Sequence, residues 1–268
     1  MNSIEVLKIQ YYELKHIPLS DLGYNIELGE GHNLHNWRIS LLGAKDTSYA
    51  GGIFLINLIF PADYPNTGPQ IIFLTPIYHP NVSSYNGFVG VNFIYNWNKS
   101  TTAREILTKL YGIFYLTNPY SPYSEEQARE FRYNRYLYEL KVKYFTKKYA
   151  NINSYEDKKN SGKWNFSFSL DDLKILKPPE PLEITIYNNN ETITLNFEVN
   201  GNCKKLCMTF SSDIITNDAV KKFISNYNIE ERNIVCIYDR RKLNMDKTLG
   251  NNGLKDNSLI TVITGVQF

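Results

Sequence analysis

Residues 79–90, HPNVSSYNGFVG, hold the side chains of this chain that come closest to a reactive set. His79 is an imidazole, and Ser83, Ser84 and Tyr85 follow it with hydroxyls. An unassisted hydroxyl at its free pKa is a weak nucleophile and needs a positioned base. His79 is the last histidine in the chain, so no later imidazole can serve. A thiolate would be the stronger nucleophile. The cysteines are Cys203, Cys207 and Cys236, so residues 1–202 contain none. Position 90 is glycine, with no side chain at all. The stretch has turn-forming residues and lacks an efficient nucleophile.

The same inventory argues against metal and cofactor chemistry. The histidines (His16, His32, His35, His79) lie far in sequence from the cysteines, so no metal site and no cofactor are expected. The 29 basic and 27 acidic residues give a net charge of +2 with no concentrated basic patch, which argues against nucleic-acid partners. No apolar run approaches the ~20 residues that span a bilayer, so no membrane partner is expected. The opening MNSIEVLKIQYYEL is polar and amphipathic, unlike a secretion signal. Reduced thiols and a cytoplasmic or nuclear location follow as expectations. With 268 residues, 43% apolar and 14% aromatic, the chain can build real cores in two domains or one large one.

The elements that must position residues 79–90 read as follows. Ile4, Leu7, Tyr11 and Leu14 fall at helical spacing. HNWRISLLGA, GIFLINLIF and QIIFL read as three strands of an antiparallel meander. Thr102-x-x-Glu105 is a capping box, after which Ile106, Leu107, Leu110, Ile113 and Phe114 mark one buried helical face. Pro119 and Pro122 end that helix. Ser124-x-x-Gln127 is read as the cap of a further helix that runs, with Phe131, Leu137 and Leu140, toward Tyr149. Helix, meander, irregular loop and helices make an α+β pattern.

Five spaced motifs then carry a resemblance. They are Tyr49-x-Gly51-Gly52-x-Phe54, Phe60-Pro61-x-x-Tyr64-Pro65, Ile77-Tyr78-His79-Pro80-Asn81, Trp97, and Asn118-Pro119. Residues 1–150 resemble the ubiquitin-conjugating enzyme family, and more closely its cysteine-less variants. The resemblance implies a thioester-forming cysteine at the position where Gly90 stands. It also implies that Asn81 either stabilises an oxyanion or braces the loop; with no oxyanion to serve, bracing is the better reading. An acidic residue often present in the later loop corresponds to Ser121, although members with Ser exist. Asn66 and the run Asn98-Lys99-Ser100 stand where ligase-binding members carry apolar residues, and only Lys8 and Lys15 remain as basic residues on the first helix. These departures set Asn81, Gly90 and Ser121 apart as a vestigial site.

Residues 151–181 are polar and charged, hold Trp164, Phe166 and Phe168, and end in Pro178, Pro179 and Pro181; they read as a linker whose aromatic residues could dock on either domain. From 182 to 268 the order hairpin, helix, strand, strand resembles a ubiquitin-like β-grasp domain. The ending ITGVQF lacks a Gly-Gly tail, so a modifier role is not expected. Ile237 and Ile263, with Thr261 between them, match an apolar binding patch and, rimmed by Arg240 and Arg241, are the expected protein-binding face. Val235 and Val262 are assigned to the core. The alternatives are that Ile237 and Ile263 only pair across the sheet, or that their face docks on the first domain. The combined reading is a non-catalytic adaptor or regulatory subunit that binds ubiquitin, a ubiquitin-loaded conjugating enzyme or another ubiquitin-system protein. The alternatives are a trafficking or assembly scaffold that reuses the fold to bind peptides and, against the glycine at 90, an active conjugating enzyme.

Overall fold

Asn2 opens the first helix with a reciprocal cap. Its side chain accepts from Glu5 N at 2.9 Å, and the Glu5 carboxylate accepts from Asn2 N at 3.1 Å. Two donors that a helix start would leave orphaned are satisfied. Helix α1 (Ser3–His16) then buries Leu7 and Leu14 and leaves Ile4 exposed. A computed structural model describes residues 2–19, 22–89, 97–151, 164, 166–169, 172, 192–199, 206–227 and 234–263. Gly90, Cys203, most of the linker, residues 182–191 and residues 264–268 lie outside the described residues.

The first sheet runs β1 (Tyr24–Gly29), β2 (Asn33–Leu42), β3 (Ile53–Ile59) and β4 (Gln70–Phe73), in that order and antiparallel throughout. It has one strand more than the apolar runs indicate. In β1 only Ile26 is buried, between the exposed Asn25 and Glu27, so a run-based reading passes over it. Register does the rest. Trp37, Ile39 and Leu41 sit opposite Leu58, Ile56 and Phe54, and period-2 alternation turns all six to one buried face. Helix α2 (Ala103–Tyr111) begins at the Thr102–Glu105 capping box and buries Ile106, Leu107 and Leu110.

The last helical stretch of this domain is broken in two, α3 (Glu125–Tyr133) and α4 (Arg135–Tyr149). Asn134 makes the break and caps α4, its side chain accepting from Leu137 N at 3.1 Å. Ser124 does not cap α3; its hydroxyl donates to Val82 O at 2.8 Å. The buried stripe of α4 is Tyr138, Val142 and Phe145, while Leu137 and Leu140 are half-buried.

The aromatic residues of the linker dock on the first domain. Trp164 N donates to Ser84 O at 2.9 Å. The Phe166 ring meets Tyr78 and Phe145 edge-on at 5.1 and 4.9 Å, and Phe168 meets Tyr144 at 5.3 Å. Tyr144 Oη donates to Asp172 and closes the strap.

The second domain is a mixed five-stranded sheet, ordered β6 (Leu206–Ser211), β5 (Thr192–Val199), β9 (Leu259–Ile263), β7 (Val235–Tyr238), β8 (Arg241–Lys242), with β5 and β9 parallel. Helix α5 (Thr216–Tyr227) packs on one face, where Phe223 stacks on Phe197 at 4.0 Å and Cys236, Ile260 and Val262 complete the core. Thr216, the first residue of α5, donates its hydroxyl to Lys247 O at 2.8 Å.

If the strap is part of the fold, Phe166→Ala lowers stability by about 1–3 kcal/mol, below the full cost of a core Phe because the ring is half-buried. Urea unfolding checks this, and an unchanged midpoint would show the strap to be incidental.

Candidate functional site

The loop after β4 is knitted to the sheet as far as Val89. Val89 N donates to Ile71 O and Phe73 N to Gly87 O. Gly87 has φ +70° and approaches Phe73 O so closely that a Cβ would lie 1.9 Å from it, so this position requires glycine. The vestigial-site reading rests on Gly90, which lies outside the described residues, and on Asn81 and Ser121, which the structure brings together.

Asn81 is 2% exposed and uses both ends of its amide. Its Oδ1 accepts from Asn118 N at 2.9 Å, and its Nδ2 donates to Asn118 O at 2.8 Å and to Ser121 O at 3.2 Å. The side chain is fully engaged in tying residues 118–121 to the His79 turn. That geometry is the bracing one. Ser121 takes part through its carbonyl, and the residue itself is exposed.

His79 is closed off as a base. It is 1% exposed, and its Nδ1 accepts from Asn81 N at 3.0 Å, which leaves the proton of the neutral ring on Nε2, beside Thr117 Oγ1 at 3.2 Å. Burial pushes its pKa down to about 3, against hydrogen bonds to the Leu116 and Ile113 backbone that act the other way. The hydroxyls of Ser84 and Ser124 are also committed. Ser124 donates to Val82 O, so the 2.8 Å contact between Ser84 and Ser124 is a donation from Ser84, and Ser84 in turn accepts from Gln127 Nε2. This chain of bonds includes no imidazole. Of the thiols described, Cys236 is fully buried and burial raises it to about 12, while the exposed Cys207 donates to Asn196 Oδ1. Among the described residues no cluster of His, Cys, Asp and Glu could hold a metal ion.

A second surface carries the other departures. Trp97 Nε1 donates to Pro65 O at 2.7 Å, which sets exposed Asn66 beside exposed Asn98, Lys99 and Ser100. Asn98 Oδ1 is turned inward, accepting from Ser100 N and Oγ. The patch is polar and offers no apolar anchor of the kind that carries most interface energy.

The expected binding face of the second domain is covered. Val235 lies opposite Ile263, and Ile237 opposite Thr261. In an antiparallel pair, opposite residues share a face. Val235, Ile237 and Ile263 are each 0% exposed and Thr261 is 2%. The three apolar residues join the first domain's core cluster, whereas Cys236 and Val262 face α5. The assignment of Val235 to the same side as Val262 is therefore corrected by register: Val235 shares the face of Ile237. That face points to the first domain and not to solvent, which is the internal-docking alternative. Arg240 also acts differently from an outer rim. Its carbonyl accepts from Lys45 N at 3.0 Å, Tyr115 Oη at 3.1 Å and Tyr111 Oη at 3.3 Å. Sequence reasoning missed Lys45, Asp46, Tyr111 and Tyr115, none of which belongs to a motif.

The depressed pKa of His79 has a consequence for stability. The unfolded imidazole, near 6.5, binds a proton more readily than the folded one, near 3. The resulting stabilisation is complete above about pH 6.5 and is lost as pH falls toward 3. Between about pH 6.5 and 5, where most carboxylates stay ionised, the urea midpoint should fall, and His79→Asn should flatten that slope. A slope unchanged by the substitution would assign it to other groups.

Comparison with known proteins places this geometry. The description "Ubiquitin-conjugating enzyme" belongs to the family profile that matches residues 10–146. The E2 domain of a Toxoplasma gondii ubiquitin conjugating enzyme is similar at 27% identity and a TM-score of 0.50, over 54% of this chain and 97% of that one. The matched span holds the second half of α1, the meander, the His79–Asn81 turn and most of α4, and the chain belongs to the ubiquitin-conjugating enzyme family.

Proposed function

We propose that this chain is a non-catalytic member of its family, an adaptor or regulatory subunit of the ubiquitin pathway in the cytoplasm or nucleus, with a ubiquitin-like β-grasp domain at residues 182–268. The observation that carries the reading is the inventory of the first domain. Residues 1–202 hold no cysteine, and Gly90 stands where the resemblance expects the nucleophile. The thioester exchange that defines catalysis in this family needs a thiolate with a lowered pKa. His79, Ser84 and Ser124 do not replace it, because the imidazole is buried and neutral and both hydroxyl protons are committed to oxygens within the loop.

The β-grasp reading is supported by the sheet order β6-β5-β9-β7-β8 with one helix on one face. A ubiquitin-like module beside a conjugating-enzyme domain argues for one pathway, and for ubiquitin, a ubiquitin-loaded conjugating enzyme or another component as partner. A second reading, a scaffold that binds peptides, is favoured by one observation. The first domain already holds Trp164 against Ser84, and Phe166 against Tyr78 and Phe145.

Incubation with activating enzyme, ATP and ubiquitin should give no reductant-sensitive adduct. Gly90→Cys should restore little activity, because Asn66, Lys99 and Ser121 leave the surrounding surfaces altered. A DTT-sensitive band on the unaltered chain would overturn the non-catalytic reading. Capture of peptides, with no capture of ubiquitin or of a ubiquitin-loaded enzyme, would favour the scaffold.

A further inference from the structure

The tip between β7 and β8 is a two-residue turn made by Asp239 (φ 46°) and Arg240 (φ 61°). Both residues are left-handed, as a type I′ turn requires; Asp tolerates this conformation, whereas Arg adopts it at a cost. The turn is held from outside its own domain. The three first-domain donors on the Arg240 carbonyl come from the β2–β3 turn (Lys45) and from the end of α2 and its continuation (Tyr111, Tyr115). Asp46 works in the opposite sense, accepting from Lys242 N at 2.8 Å, and it shares the single Tyr115 Oη proton (2.9 Å) with the Arg240 carbonyl (3.1 Å). Lys45 Nζ reaches Asp239 at 2.7 Å. Donors and acceptors are therefore matched in both directions. The Arg240 side chain lies against Gly23, where a Cβ would meet its Cδ at 3.1 Å. Beside this polar contact lies the apolar face of Val235, Ile237 and Ile263, fully sealed.

We propose that the first-domain surface formed by Gly23, Lys45, Asp46, Tyr111 and Tyr115 is a receptor for the sheet face and β-turn of a ubiquitin-like fold. It is filled in cis by this chain's own second domain, so a partner bearing such a face binds only by displacing it. The class of the displacing partner rests on the ubiquitin-like reading above; the contact itself does not. The physics is that of a tethered competitor. Covalent attachment makes docking intramolecular, so the attached module competes at an effective concentration that a free partner must exceed. The apparent affinity for a free partner is then reduced by the small fraction of open chains.

The test uses the full-length chain and monomeric ubiquitin labelled for NMR. Native chain should bind weakly. Ile237→Asp places a charge in the sealed face, damages only the occupant, and should raise ubiquitin affinity at least ~10-fold through release of the receptor. That gain is expected even if the second domain unfolds, because the receptor lies on the first. Asp46→Arg, made on the receptor, should loosen amide protection at 235–237 and bring no gain in ubiquitin binding. The double variant should lose the gain of Ile237→Asp. Equal affinity of native chain and Ile237→Asp, or a gain that survives Asp46→Arg, would overturn the receptor. Thioester formation would overturn the non-catalytic reading alone, so the two failures are distinct.

Discussion

A β-sheet has two faces, and where β7 and β9 pair in the second domain both carry apolar residues. Strands β7 and β9 send Cys236 and Val262 toward α5, and Val235, Ile237 and Ile263 the other way. Burial of one aliphatic side chain is worth about 1.5–3 kcal/mol, so three left in water would cost a large part of a small domain's stability. The single helix covers one face. The first domain covers the β7–β9 part of the other, and the way the two halves of the chain meet follows from that need. The same contact explains why a turn of Asp239 and Arg240 holds a conformation that suits glycine better, since its carbonyl is the acceptor for Lys45, Tyr111 and Tyr115.

Within the first domain, the loop architecture of the family persists while its residues serve packing. Asn81 commits all of its amide to residues 118–121. His79 is neutral and enclosed, and Tyr49 donates to Tyr78 O beneath it. These buried polar groups are satisfied, and a satisfied buried network is costly to disturb. An arrangement of this kind is held by its own hydrogen bonds. The strap from Trp164 to Phe168 adds to this, since it lays two phenylalanine rings against Phe145 of α4.

The two domains show different kinds of surface. Around Pro65, Asn66 and Trp97 the first domain presents polar side chains that bond to their own loop. Around Lys45 and Asp46 it presents charges that complement a neighbour of defined shape. The first patch is polar and exposed. The second is occupied.

Much of this was legible from sequence, for local reasons. The capping box at Thr102, the strands β2 to β4 and the face of α2 follow from propensity and period, which are properties of neighbouring residues. The family resemblance follows from five motifs that are contiguous or evenly spaced. The absence of a first-domain thiol is a matter of inventory and needs no coordinates. Other features depend on partners remote in the chain. Strand β1 has one buried residue, so only its pairing with β2 reveals it. The break at Asn134 is one cap inside a pattern that otherwise continues. The bracing role of Asn81 depends on a loop almost forty residues away. Sequence leaves open whether the face that holds Ile237 meets solvent or the first domain, because an alternating strand states only that its two sides differ. Which side meets solvent is decided by whatever packs there, and here that is a turn and a helix end some 130 to 190 residues earlier in the chain.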